Sequence, residues 1–185
     1  AKVKLTDASS QYVMRGVLGS ATEVLGPEAA HAAIWQVIQH QQSYAIQLPP
    51  AKVKDQSVQR FLCVAHIDES LALQERVASV TQLTADSWQL AEVLSGVSMV
   101  QTITQEAFVP QMLNYESVQG VSFKKGCYPG QEVVARSQFR GTLKRRAFIF
   151  SSNAPLQVGQ EIFASDDAEQ ACGTVSSAAP FKPDA

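Results

Sequence analysis

The chain has 185 residues, of which 45% are apolar and 17% charged, with a formal net charge of -2; this is the composition of a soluble globular protein of one domain or two small ones. No apolar run approaches the roughly 18 residues that span a bilayer, and the N-terminus lacks the charged-then-apolar pattern of a secretory leader, which sets membrane and secretory readings aside. Three cysteines, Cys63, Cys127 and Cys172, are odd in number and far apart, so neither a disulfide framework nor a paired metal site is written, no metal is expected, and a reducing cytoplasm fits best.

The chain opens at Ala1 without a methionine, and a longer parent protein is expected. Tyr12 to Leu18 reads as a strand, and Gly19-Ser20 as a break. From Thr22 apolar residues recur at helical spacing through Leu25, Ala29, Ala33 and Val37, which predicts a helix from 22 or 26 to about 40, with Pro27 in its first turn. Ser43 to Leu48 alternates as a strand that Pro49-Pro50 should stop, and after a polar loop Arg60 to Ile67 reads as the next strand. Asp68 and Ser70 suit the start of a helix carrying Leu71, Leu73 and Val77, and "SVTQLT" over 79–84 looks extended. The resulting order, strand, helix, strand, strand, helix, strand, is that of a ferredoxin-like βαββαβ unit in an α+β protein.

Asp86 or Ser87 can cap a further helix, "WQLAEVLSG", with Gly96 beyond its last turn. Short apolar pieces follow, and then "RRAFIFSS", "GQEIFAS" and "CGTVSSAA" read as strands at the start of a small β-barrel. The expected domains are therefore 1–84, 85–140 and 141–185.

Between those pieces lies "KKGCYPGQEVVARSQFRG", Lys124 to Gly141. From Lys124 on to Arg146, seven basic residues (Lys124, Lys125, Arg136, Arg140, Lys144, Arg145 and Arg146) stand against Glu132 alone, a local charge of +6, which leaves eight basic and sixteen acidic side chains, -8, elsewhere. Such asymmetry concentrates attraction for anions at one place. Tyr128-Pro129-Gly130 suits a type II turn, with proline presetting φ and glycine accepting a positive one. If the residues from Gly130 form a helix, its free N–H groups and its positive dipole end, with Lys124 and Lys125 beside them, favour a thiolate at Cys127. Glu132 and Arg136 can pair one turn apart, an interaction worth a few tenths of a kcal/mol. Cys63 and Cys172 sit in strand-like text and read as small buried hydrophobes; for Cys127 a buried and a reactive role stay open. The three histidines fall far from Cys127 in sequence and in no common zinc spacing. RNA binding, with Tyr128, Phe139 and Phe148 as stacking faces, is the weaker reading, because Arg140 to Arg146 leads into an apolar strand.

The motif resembles the signature of the YgfZ family of folate-binding proteins. The fixed positions are Lys125, Gly126, Cys127, Tyr128, Gly130, Gln131, Glu132, Ala135, Arg136, Arg140 and Gly141, and "FVPQMLN" (108–114) and "GVSFK" (120–124) also look like that family. The family is similar in fold to the glycine cleavage T-protein, a tetrahydrofolate-dependent aminomethyltransferase with three domains around a channel. The resemblance implies that this chain covers most of the middle ferredoxin-like portion, the return segment of the first domain and the start of the C-terminal barrel. It implies a cytoplasmic accessory factor, rather than a turnover enzyme, that binds tetrahydrofolate and supports iron-sulfur enzymes, including tRNA-modifying ones. Cys127 would be its principal residue; Lys125 and Arg136 would raise thiolate character, Gly126 and Gly130 permit the bend, and Tyr128 shield or stack. Trp88 matches a position associated with folate, where its indole either stacks on the pterin or packs a helix on the sheet. Relatives usually carry an acid in the short segment after that tryptophan, where this chain has Leu94. The shared fold also leaves a one-carbon transferase as an alternative.

Overall fold

The computed structural model describes residues 2–40, 43–78, 80–140 and 144–181. It is mixed α+β with antiparallel sheets, and it divides into two compact units, Ala1–Trp88 and Gln89–Ala185.

The first unit is built on a four-stranded sheet. Strands β1 (Tyr12–Leu18), β2 (Val37–His40), β3 (Ser43–Val53) and β4 (Gln56–His66) lie in the order β1-β4-β3-β2 with every neighbour antiparallel. β1 and β3 are thus parallel to each other across β4. That is the split β-α-β arrangement of a ferredoxin-like sheet. Its last strand is not formed: residues 80–84 belong to no strand, and β2 extends the opposite edge instead.

The helix expected from 22 or 26 to about 40 is replaced by three short pieces. Helix α1 covers only Thr22–Leu25, a 3₁₀ turn covers Pro27–His31, and β2 follows. Gly26 at φ 85° interrupts the α-helical path, and Pro27 has no N–H to continue it. Val37 and Ile38 are β-branched and pair with Ile46 and Ala45, so tertiary pairing overrides a helical spacing made mainly of alanines. β3 does not stop at Pro49-Pro50. The register shifts between Leu48 and Ala51, which places the prolines in an irregularity where no ladder N–H is required. The loop expected next is a tight hairpin, with Val53 opposite Gln56 and Lys54 at φ 54°.

One face of the sheet carries the core. Phe61, Cys63 and Ala65 of β4, Ala45 of β3 and Ile38 of β2 pack with Ala21, Val24, Leu25 and Ala29, and Val77 of helix α2 (Ser70–Val77) adds to them. Phe61 is fully buried, where truncation to alanine typically costs about 3–5 kcal/mol. Burial also pushes the Cys63 thiol up to about 11, with the charge of Arg76 pulling the other way.

The opposite face carries Gly16 and Arg60, because Gly16 pairs with Leu62 and Leu18 with Arg60. Trp88 of helix α3 (Ala85–Leu94) lies on it. A Cβ on Gly16 would fall 2.3 Å from Trp88 Cε3, and the Arg60 guanidinium carbon is 5.0 Å from the indole centroid. The cap of α3 is Thr84, whose Oγ1 accepts the Ser87 N–H at 3.3 Å, so neither Asp86 nor Ser87 takes that role. Gly96 does end the helix, at φ 72°.

In the second unit, 3₁₀ turns at Thr102–Thr104, Pro110–Leu113 and Tyr115–Val118 precede helix α4 (Glu132–Phe139) and a hairpin of β5 (Glu161–Ala164) and β6 (Asp167–Thr174). The strand expected in "RRAFIFSS" is absent over 144–152: no neighbouring strand pairs with it, and Phe148 and Phe150 stand exposed. β6 begins at Asp167, ahead of the expected "CGTVSSAA", and Thr174 is its last residue.

Two outcomes follow for the first unit. Gly16→Ala should lower stability by about 1–3 kcal/mol, as overpacking does, read from urea midpoints; an unchanged midpoint would show that Trp88 does not rest on β1. The raised folded pKa of Cys63 makes the folded state hold its proton longer than the unfolded chain. Its contribution is therefore complete below the ordinary value of 9.0 and lost as pH rises toward about 11. The loss is roughly 2–3 kcal/mol, and Cys63→Ala should flatten urea midpoints across that window.

Candidate functional site

The segment from Phe123 to Phe139 forms a closed loop in the second unit. The two rings meet edge-on, 6.2 Å between centroids. Between them the backbone turns at Pro129-Gly130: Gly130 has φ 85°, and the Gln131 N–H donates to the Tyr128 carbonyl at 3.4 Å. A positive φ at the third turn position after proline is the type II arrangement. α4 starts at the next residue but one, with the Ala135 N–H on the Gln131 carbonyl at 2.9 Å and the Arg140 N–H on the Arg136 carbonyl at 3.0 Å.

Cys127 is exposed at this bend. Lys125 sends its ammonium over the Tyr128 ring, 3.9 Å from the centroid, and donates to the Gly126 carbonyl at 3.3 Å. The structure thus gathers Lys125, Gly126, Tyr128, Gly130 and Gln131 around the thiol's stretch of backbone. Gly130 alone has a conformation that favours glycine. Gly126 has no positive φ, and a Cβ there would meet nothing within 4 Å, so the expected need for glycine at 126 has no steric basis in this loop.

Glu132, Arg136 and Arg140 lie on or just past α4 and are exposed. Among the described residues Glu132 and Arg136 form no ion pair, in keeping with the small energy such an exposed pair offers. Gly141 lies outside the described residues. Trp88 belongs to the first unit and is part-buried on Gly16. Cys63 is buried as expected, whereas Cys172 is exposed. Its position on a two-stranded hairpin supplies no second layer, and its thiol donates to the Ile162 carbonyl at 3.3 Å.

Sequence reasoning missed what anchors α4. Gln111, fully buried, donates from Nε2 to the Val134 carbonyl at 2.8 Å. A helix of eight residues is marginal by itself, since isolated helices shorter than about 12–15 residues rarely persist in water. A buried hydrogen bond contributes about 1 kcal/mol net, and leaving a buried partner unmet costs roughly 1–3 kcal/mol. That exceeds the few tenths from any exposed pair on the helix. The only hint in the text is an amide side chain set among apolar residues in "FVPQMLN".

Matches among known proteins include two YgfZ proteins. The chain is 34% identical over 107 residues to the tRNA-modifying protein YgfZ of Yersinia enterocolitica, covering 56% of this chain and 32% of that protein. It is 41% identical over 86 residues to the tRNA-modifying protein YgfZ of Photobacterium profundum, covering 46% of this chain and 25% of that protein. The chain is thus similar to two YgfZ proteins over about half of its own length. It spans about a quarter to a third of the length of these two. No family model and no solved structure matches it.

The three thiols should separate cleanly by access. Brief treatment of the native protein with iodoacetamide should label Cys127 and Cys172 and spare Cys63 until denaturant is added, as read by peptide mass spectrometry. Native labelling of Cys63, or protection of Cys127, would contradict the structure.

Proposed function

We propose that the full-length protein is a YgfZ-like accessory factor that binds tetrahydrofolate and supports the assembly or repair of iron-sulfur enzymes, and through them tRNA modification. Its fold in this reading is T-protein-like, and Cys127 is the group through which it acts. The observation that carries the proposal is an exposed thiol held on a proline-glycine turn in a motif of basic and glycine residues. Thiols kept for reactivity sit in partly exposed, electropositive surroundings, whereas structural ones are buried. The two relatives named as tRNA-modifying proteins supply the biological context. The partners are the iron-sulfur or tRNA-modifying enzymes served, and no helix of the described chain is long and apolar enough to cross a membrane.

In this reading Lys125 and Arg136 keep the surroundings of the thiol positive, Tyr128 holds the Lys125 ammonium in place, and Trp88 offers part of an indole face to the pterin. The test is complementation by the full-length gene in a null strain, read as the activity of an iron-sulfur enzyme and the level of the modified tRNA nucleoside. Cys127→Ala should fold normally and give no rescue beyond empty vector. Full rescue by that variant would remove Cys127 from the mechanism.

A further inference from the structure

One donor nitrogen that reaches three acceptors stands outside the motif and outside the function just proposed: it belongs to Arg146. Its Nη1 donates to the Gln111 carbonyl at 3.2 Å and to Asn114 Oδ1 at 3.0 Å, and it also pairs with the Glu116 carboxylate. Asn114 in turn donates from Nδ2 to the Ala147 carbonyl at 2.9 Å, so the strap from 144 to 147 is joined to the 110–118 turns from both sides.

We propose that Arg146 is a positioning residue for the Cys127 loop: it fixes the 110–118 turns, so that Gln111 can hold α4 and the turn that precedes it. The steps connect through named atoms. Arg146 grips the main-chain carbonyl of Gln111, the same residue whose side chain reaches the Val134 carbonyl inside α4 at 2.8 Å. Asn114 stands at φ 56° and Gln119 at φ 62°, left-handed conformations that are uncommon outside glycine, although asparagine enters them more readily than most residues, and that contacts with the surroundings hold in place. Arg146 supplies that fixing at Asn114. A lysine ammonium sits on a flexible stem and does not replace a planar guanidinium in place, so Arg146→Lys keeps the charge and loosens the placement of the donor.

The proposal rests on Cys127 being the group the protein works through, but its test does not. In the full-length protein, hydrogen exchange of the amides of α4 should be about tenfold or more faster in Arg146→Ala, with the β5–β6 hairpin amides unchanged, because local opening is read region by region. Arg146→Lys should fall between the two, and rescue of the null strain should decline in the same order. Unchanged α4 exchange in Arg146→Ala would overturn the proposal. So would equal acceleration of α4 and the hairpin, which would make Arg146 a general stabiliser of the unit. If α4 loosens as expected while Cys127→Ala still rescues, the positioning stands and the functional reading fails.

Discussion

A fully buried amide, Gln111, holding the Val134 carbonyl of an eight-residue helix is the contact on which the candidate site depends. Short helices do not persist on propensity alone, and α4 has no side-chain cap at Gln131 and no buried residue of its own. Among the described residues its exposed Glu132 and Arg136 form no ion pair, and such a pair would be worth little. What remains is the tether at its middle and the Phe123–Phe139 contact that closes the loop at its ends. Without the first, the proline-glycine turn would have no fixed continuation.

The basic segment changes meaning once the contacts are known. Its sequence charge of +6 suggests a single surface for anions. Arg145, however, donates to the Ala171 carbonyl at 3.3 Å, and Arg146 is spent on Gln111, Asn114 and Glu116. Lys125 faces the Tyr128 ring. Net charge bears on steering and solubility; where an individual cation is used depends on the acceptors the fold brings to it. In this chain those acceptors are chiefly backbone carbonyls and the 114–116 side chains.

What the sequence revealed, and what it hid, follows from how local each signal is. β1 is legible to the residue, and the turn at Pro129-Gly130, the stop at Gly96 and, within two residues at its start and one at its end, the helix after the turn are legible too, because each depends on neighbours a few positions away. The run from Thr22 to His40 was misread because Gly26 and pairing with β3 outweighed a helical spacing, and the strand through Pro49-Pro50 because a register shift is set by β4. The strand expected in "RRAFIF" had the right residues and lacked a partner. The Gln111 and Arg146 contacts link positions 23 and 35 apart, beyond the reach of any periodicity. Cys172 came out exposed because a hairpin alone cannot bury both of its faces. Cys63 was legible because aliphatic neighbours on a central strand imply burial.

The central claim is that the sulfur at 127 is both reachable and held. The most direct measurement places a nitroxide on Cys127 in full-length protein whose other cysteines are replaced, and records its spectrum and its relaxation by a water-soluble paramagnet. The account predicts a label open to the paramagnet yet restricted in motion, with the restriction released in Gln111→Ala. A label as free as one at exposed Val3, indifferent to Gln111, would contradict it.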